Sequence, residues 1–123
     1  MYSVIRFLDK AKPGILDEVT RRLQLDAGLT AERDKGVANR VSCSISTEPT
    51  WPQQRTAILL WMSRVGNTLV FCHDAEVMVE LDIAIEPEDY NARVLTELIL
   101  DCEFLRLLVE RALSLTFSIY GHS

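Results

Sequence analysis

Apolar and polar positions alternate with a period of two in several segments of the chain. Residues 2–8 are rich in β-branched and aromatic side chains and predict a first strand. Val41, Cys43 and Ile45 alternate with Ser42, Ser44 and Ser46, the pattern of a strand with one buried face and one polar face. The longest alternation sets Val77, Val79, Leu81, Ile83 and Ile85 against Met78, Glu80, Asp82, Ala84 and Glu86, and Pro87-Glu88-Asp89 ends it as a turn. Leu115, Phe117 and Ile119 alternate with Thr116, Ser118 and Tyr120 in a closing strand.

Between these segments the spacing becomes helical. Pro13 opens a helix in which Ile15, Val19 and Leu23 recur every four residues, with Asp17/Arg21 and Glu18/Arg22 pairing on the outer side and Gly28 beyond the end. Residues 26–39 carry Gly28, Gly36 and five charged residues without a period, and predict a long surface loop. Thr50-Trp51-Pro52-Gln53 fits a capping box ahead of a largely buried helix with Ile58, Leu59, Trp61, Met62 and Val65, stopped at Gly66-Asn67. Residues 68–73 suit a short strand or one more buried helical turn, and the turn is the preferred reading. Residues 91–113 could form one helix, but Asp101 followed by Glu103 reads as an N-cap and first turn. That leaves 93–100 extended and makes Phe104, Leu105, Leu108 and Ala112 the buried stripe of a third helix.

The resulting order is strand, helix, strand, helix, strand, helix, strand. It predicts an α+β fold, a single two-layer domain over residues 1–123, with one mixed or antiparallel sheet of about four strands and about three helices on one face. A chain of 123 residues, 48% hydrophobic and 25% charged, has the size and composition of one such domain. The longest uninterrupted apolar run, residues 57–62, is far short of the roughly 18 needed to cross a bilayer. Residues 1–8 lack the pattern of a secretory signal, so the expected location is the cytoplasm. Cys43, Cys72 and Cys102 form no Cys-x-x-Cys pair and are expected to be reduced, half-buried core residues with neither a disulfide nor a zinc role.

Several of these features resemble the bacterial family catalogued as domain of unknown function 4279. They are the opening strand and helix with Leu23-Gln24-Leu25, the charged loop with Lys35-Gly36, the short strand at 41–46, and the closing Ala112-Leu113-Ser114-Leu115-Thr116-Phe117-Ser118-Ile119-Tyr120. The chain differs from that pattern in having Val41 where many members have Trp and Ser118 where the last strand usually has Asp. The shared motifs are packing motifs, so the resemblance implies a fold and no reaction. More loosely, the chain resembles immunity proteins of bacterial toxin cassettes, including those of contact-dependent growth inhibition.

Sequence motifs for catalysis are sparse. Cys72-His73-Asp74 has the residue types of a thiol nucleophile and its base, but consecutive side chains diverge on a strand or a helix. His122 lies beside the last residue. No phosphate-binding glycine loop, nucleophile elbow or transition-metal spacing is present, so no cofactor, metal or catalytic residue is expected. With a pI near 5.0, direct binding of nucleic acid is disfavoured.

Charge is what remains. Residues 1–64 hold ten Lys and Arg against seven Asp and Glu, whereas residues 65–123 hold three against eleven. Between Arg64 and Arg93 there is no basic residue, while Asp74, Glu76, Glu80, Asp82, Glu86, Glu88 and Asp89 fall there, followed by Tyr90. With helices on one face, the other face of the sheet should present Glu80, Asp82 and Glu86 to water beside serines, Thr116 and Tyr120, with Arg6 within reach of one acid. Such a surface suits a basic protein partner, for example the nuclease domain of a toxin, bound without chemistry through Asp74 to Tyr90. The alternative is a small-molecule-binding or structural domain. The oligomeric state is open.

Overall fold

The computed structural model describes residues 1–9, 13–34, 36, 39–86 and 99–120. Within them the elements run β1 (Tyr2–Leu8), α1 (Pro13–Ala27), β2 (Glu32–Arg33), β3 (Arg40–Ser46), α2 (Trp51–Arg64), α3 (Gly66–Asp74), β4 (Met78–Ile85), α4 (Cys102–Glu110) and β5 (Leu113–Ile119). The strands form one sheet in the order β2-β3-β1-β4-β5, antiparallel except for the parallel pair β4/β5. The α+β class and the single layer of helices on one sheet are as expected, but there are five strands, and four helices among the described residues.

Both extra elements have physical causes. Glu32 and Arg33 pair with Ser42 and Val41, so part of the expected surface loop is an edge strand too short to show a period. Asp26, placed in that loop by the sequence reading, belongs to the last turn of α1. After α2 the chain bends only at Val65 before α3 resumes, because Val65 and Leu69 are needed in the core. Residues 68–73 are thus helical, as preferred. Asp101 caps α4 by accepting from the Phe104 N–H at 2.9 Å, so 91–113 is not one helix. Its stripe is narrower than expected: Phe104 and Leu108 are buried, but Leu105 is exposed and Ala112 lies beyond the helix. The turn expected at 87–89, the extended segment at 93–98 and His122 lie outside the described residues.

The core is built where the periods meet. Ile5, Phe7, Val41, Cys43, Val79, Leu81 and Ile83 supply the sheet side, and Leu16, Val19, Leu23, Ile58, Trp61, Leu69 and Phe104 the helix side. Trp61 is buried as its helix predicts, and Trp51 meets Phe104 edge to face with centroids 5.3 Å apart. Of the thiols, Cys43 and Cys72 are buried, whereas Cys102 is exposed at the start of α4, contrary to the uniform core placement expected. The largest uncharged polar side chain buried among the described residues is Gln54, which is wholly within the core. Gln54 of α2 accepts from the Ser3 hydroxyl at 2.6 Å and donates to the carbonyls of Met1, Ser46 and Glu48. It thereby ties α2 to the irregular register where Ser3 and Val4 pair with Ser46 and Ser44.

Candidate functional site

All described helices pack on one side of the sheet, and strand register fixes what the other side presents. Side by side on that face stand Ser42, Arg6, Glu80 and Ser114; the next row is Ser44, Val4, Asp82 and Thr116; then come Tyr2, Ala84 and Ser118. Arg6 donates to Glu80 directly opposite at 3.2 Å and to Asp82 on the diagonal at 2.5 Å. The Ser118 hydroxyl donates to the same Asp82 oxygen at 2.8 Å. The other oxygen, Oδ1, is buried with no hydrogen-bond partner. Nearby, the Tyr2 hydroxyl donates to that of Tyr120 at 3.3 Å. This bond, with burial and the charges of Glu86 and Asp82, pushes the Tyr2 phenol up to about 12. Burial pulls the Arg6 guanidinium down, yet Asp82 and Glu80 outweigh it and leave its pKa raised.

Asp82 therefore does not face water as alternation predicts. It is 2% exposed, and Glu80 beside it is half-buried. β4 is an interior strand, flanked on its polar side by Tyr2, Val4 and Arg6 of β1 and by Ser114, Thr116 and Ser118 of β5. Ala84 is buried for the same reason. The expected pairing of Arg6 with an acid is present, with two acids instead of one.

The remaining acidic positions do not gather into one patch. Asp74 ends α3 and is exposed, and Glu76 is exposed in the turn before β4. Glu86 is half-buried just past the other end of β4, a strand whose eight residues span about 26 Å. Glu88, Asp89 and Tyr90 lie outside the described residues. The five described carboxylates of that stretch are thus split between two ends of a strand and an ion-paired centre.

What sequence reasoning missed is the neighbouring concavity over β2, β3 and β1. It is open to solvent, has a volume of about 700 Å³ and is lined by Tyr2, Val4, Arg6, Thr30, Glu32, Arg33, Asp34, Arg40, Ser42 and Ser44. Arg40 is clamped on Asp34, and Arg33 reaches Asp17 of α1 at 3.0 Å. No periodic signal marks Thr30, Glu32, Arg33 and Asp34, because all four belong to the stretch read as loop.

Cys72-His73-Asp74 separates as expected: Cys72 is fully buried and His73 exposed. Burial pushes the Cys72 thiol up to about 12, with Arg22 opposing, which is the reverse of an activated nucleophile. Burial also raises Cys43. Among the described residues no three His, Cys, Asp or Glu side chains converge as a metal site.

Comparison of the chain with protein-family models, curated proteins and solved structures returns no match.

Proposed function

We propose that the protein is a non-enzymatic binding domain that receives a protein partner on the uncovered face of its sheet. The observation that carries this reading is the make-up of the concavity there. Tyr2, Arg6 and Arg40 line it, and Tyr and Arg are the residue types that anchor protein interfaces. Arg6 and Arg40 are held in place by Asp82 and Asp34, which lowers the cost of ordering them on contact. A small ligand would instead favour an enclosed, mainly apolar pocket.

Within that reading we assign the protein an immunity role in the bacterial cytoplasm, neutralising a toxin by covering a basic active site such as that of a nuclease domain. Support comes from the acidic second half of the chain and from Asp74 and Glu76, which are exposed. Glu80 and Asp82 act differently, as the groups that position Arg6. Among the described residues no helix is long and apolar enough to cross a membrane.

The test is surface-based kinetics against the product of the adjacent gene. Association should slow at least ~10-fold as salt rises to the physiological range. Ser44→Lys, an exposed β3 position facing the concavity, should abolish binding with an unchanged melting temperature. Absence of wild-type binding would overturn the immunity role; full binding by Ser44→Lys would overturn the face assignment.

A further inference from the structure

We infer that β5 is the edge through which two copies of this chain pair, antiparallel, into one continuous ten-stranded sheet. The sheet order leaves two edges. At one, β2 is two residues long and consists of Glu32 and Arg33, a short charged edge of the kind that blocks further pairing. At the other, β5 runs seven residues in unbroken register with β4. From Ala112 to Tyr120 it has no charged residue and no proline, in a chain of which 25% is charged. The strand carries no charge, proline or bulge to protect its edge, and among the described residues no strand pairs with its far side. Phe117 and Ile119 are 38% and 67% exposed there.

The occupant follows from the strand's own sequence. By residue class, Leu-Ser-Leu-Thr-Phe-Ser-Ile reads the same in both directions. A two-fold axis at Thr116 sets Leu113 against Ile119, Ser114 against Ser118, Leu115 against Phe117 and Thr116 against itself. Apolar pairs then line the helix side and hydroxyl pairs the outer side, both favourable across antiparallel strands. Two-fold pairing sets a residue against its own kind, so a charged edge strand would repel its copy; this one has no charge to repel and offers no sign to a charged partner. The concavity lies at the opposite edge of the sheet and stays open in each copy, so the dimer and the proposed partner-binding face stand or fall separately.

Sedimentation equilibrium of the full chain over micromolar to sub-millimolar concentration should give twice the 14.0 kDa chain mass. Ile119→Lys, at an already exposed position, would set an ammonium group against Leu113 of the second copy and should weaken the dimer at least ~10-fold with the circular dichroism unchanged. Thr116→Cys in a Cys102→Ser background tests the register without disturbing the strand. Cα atoms of directly opposed antiparallel residues lie about 4.5–5.5 Å apart, within the roughly 4.4–6.8 Å that a disulfide spans, so mild oxidation should trap a covalent dimer. A monomer at every concentration would overturn the inference, as would a dimer that Thr116→Cys fails to cross-link.

Discussion

Arg6 reaches diagonally across β1 and β4 to Asp82, two residues beyond its direct opposite Glu80, and closes on the carboxylate at 2.5 Å. The two side chains are 19% and 3% exposed, so the pair lies in the partly dry region where a lost partner is costly. In Arg6→Ala, Asp82 would keep only Ser118 as a donor and remain a buried charge. The expected cost is ~3–5 kcal/mol. Replacing both residues, Arg6→Met with Asp82→Leu, should recover most of it, because the fully buried charge is then gone and Glu80, 27% exposed, can turn to water. Urea denaturation of the single and double variants checks this, and a loss below ~1 kcal/mol for Arg6→Ala would show that the pair does not hold the polar face together.

Gln54 carries a comparable load on the opposite face. Gln54→Leu keeps the volume but strips the Ser3 hydroxyl of its acceptor and three main-chain carbonyls of a donor. Each group left unsatisfied in a buried setting costs about 1–3 kcal/mol, so a total of ~2–4 kcal/mol is expected, with some groups regaining water. Gln53→Leu, one residue away and exposed, should stay within ~0.5 kcal/mol. Equal losses for the two variants in denaturant titrations would remove Gln54 from this role.

The fold was legible where a period is long or a cap is specific. Val77 to Ile85, the Thr50 box and the Asp101 cap all predict what is observed, since each records a local requirement of the backbone. Thr50 accepts from the Gln53 N–H at 3.5 Å, although its hydroxyl donates to the Gln53 side chain instead of receiving the glutamine at its own N–H. The candidate site was only partly legible. Alternation places Asp82 and Ser118 on the outer face, but whether that face is wet depends on Arg6 and the tyrosine pair, brought there by strands distant in sequence. Gln54 was invisible for the same reason: even in a helix read as largely buried, a glutamine near the start reads as solvent-facing until its partners at Ser3 and Ser46 are known.

Two helices end with a non-glycine residue in the left-handed region. Glu76 has φ 59 and Ala112 φ 54. After α3 the Glu76 N–H donates to the His73 carbonyl and the Val77 N–H to that of Cys72, the paired bonds of a Schellman ending in which glycine is the usual residue. A side chain there costs ~1–2 kcal/mol, and glycine returns part of that gain through unfolded-state entropy. Glu76→Gly and Ala112→Gly should therefore each stabilise the fold by about 0.5–1 kcal/mol and raise the melting temperature by a few degrees. A lower melting temperature in both would mean that these conformations carry no strain.

The alkaline limb of stability should be governed chiefly by two neutral groups that the fold holds protonated, Cys72 and Tyr2, with Cys43, also raised by burial, adding to it in all variants alike. Burial raises the Cys72 thiol from 9.0 to about 12, with the Arg22 charge opposing. The bond to Tyr120, then burial and the nearby acids, raises the Tyr2 phenol from 10.0 to about 12. Between these ordinary and raised values the unfolded chain has released protons that the folded chain retains, so unfolding is increasingly favoured as pH rises. The contribution of Cys72 is complete below about pH 9 and that of Tyr2 below about pH 10, and both are lost as pH climbs through about 12. Cys72→Ala should flatten the part of the curve that starts near pH 9, at the expense of a small cavity and hence a lower plateau. Tyr2→Phe should flatten only the part above pH 10 while leaving the plateau nearly unchanged, because Tyr2 is half-exposed and its bond to Tyr120 lies at the surface. Thermal melts of the three proteins from pH 7 to 12 resolve the two components; an alkaline limb in Tyr2→Phe that superimposes on the parent's would show that the phenol titrates as it does in the unfolded chain.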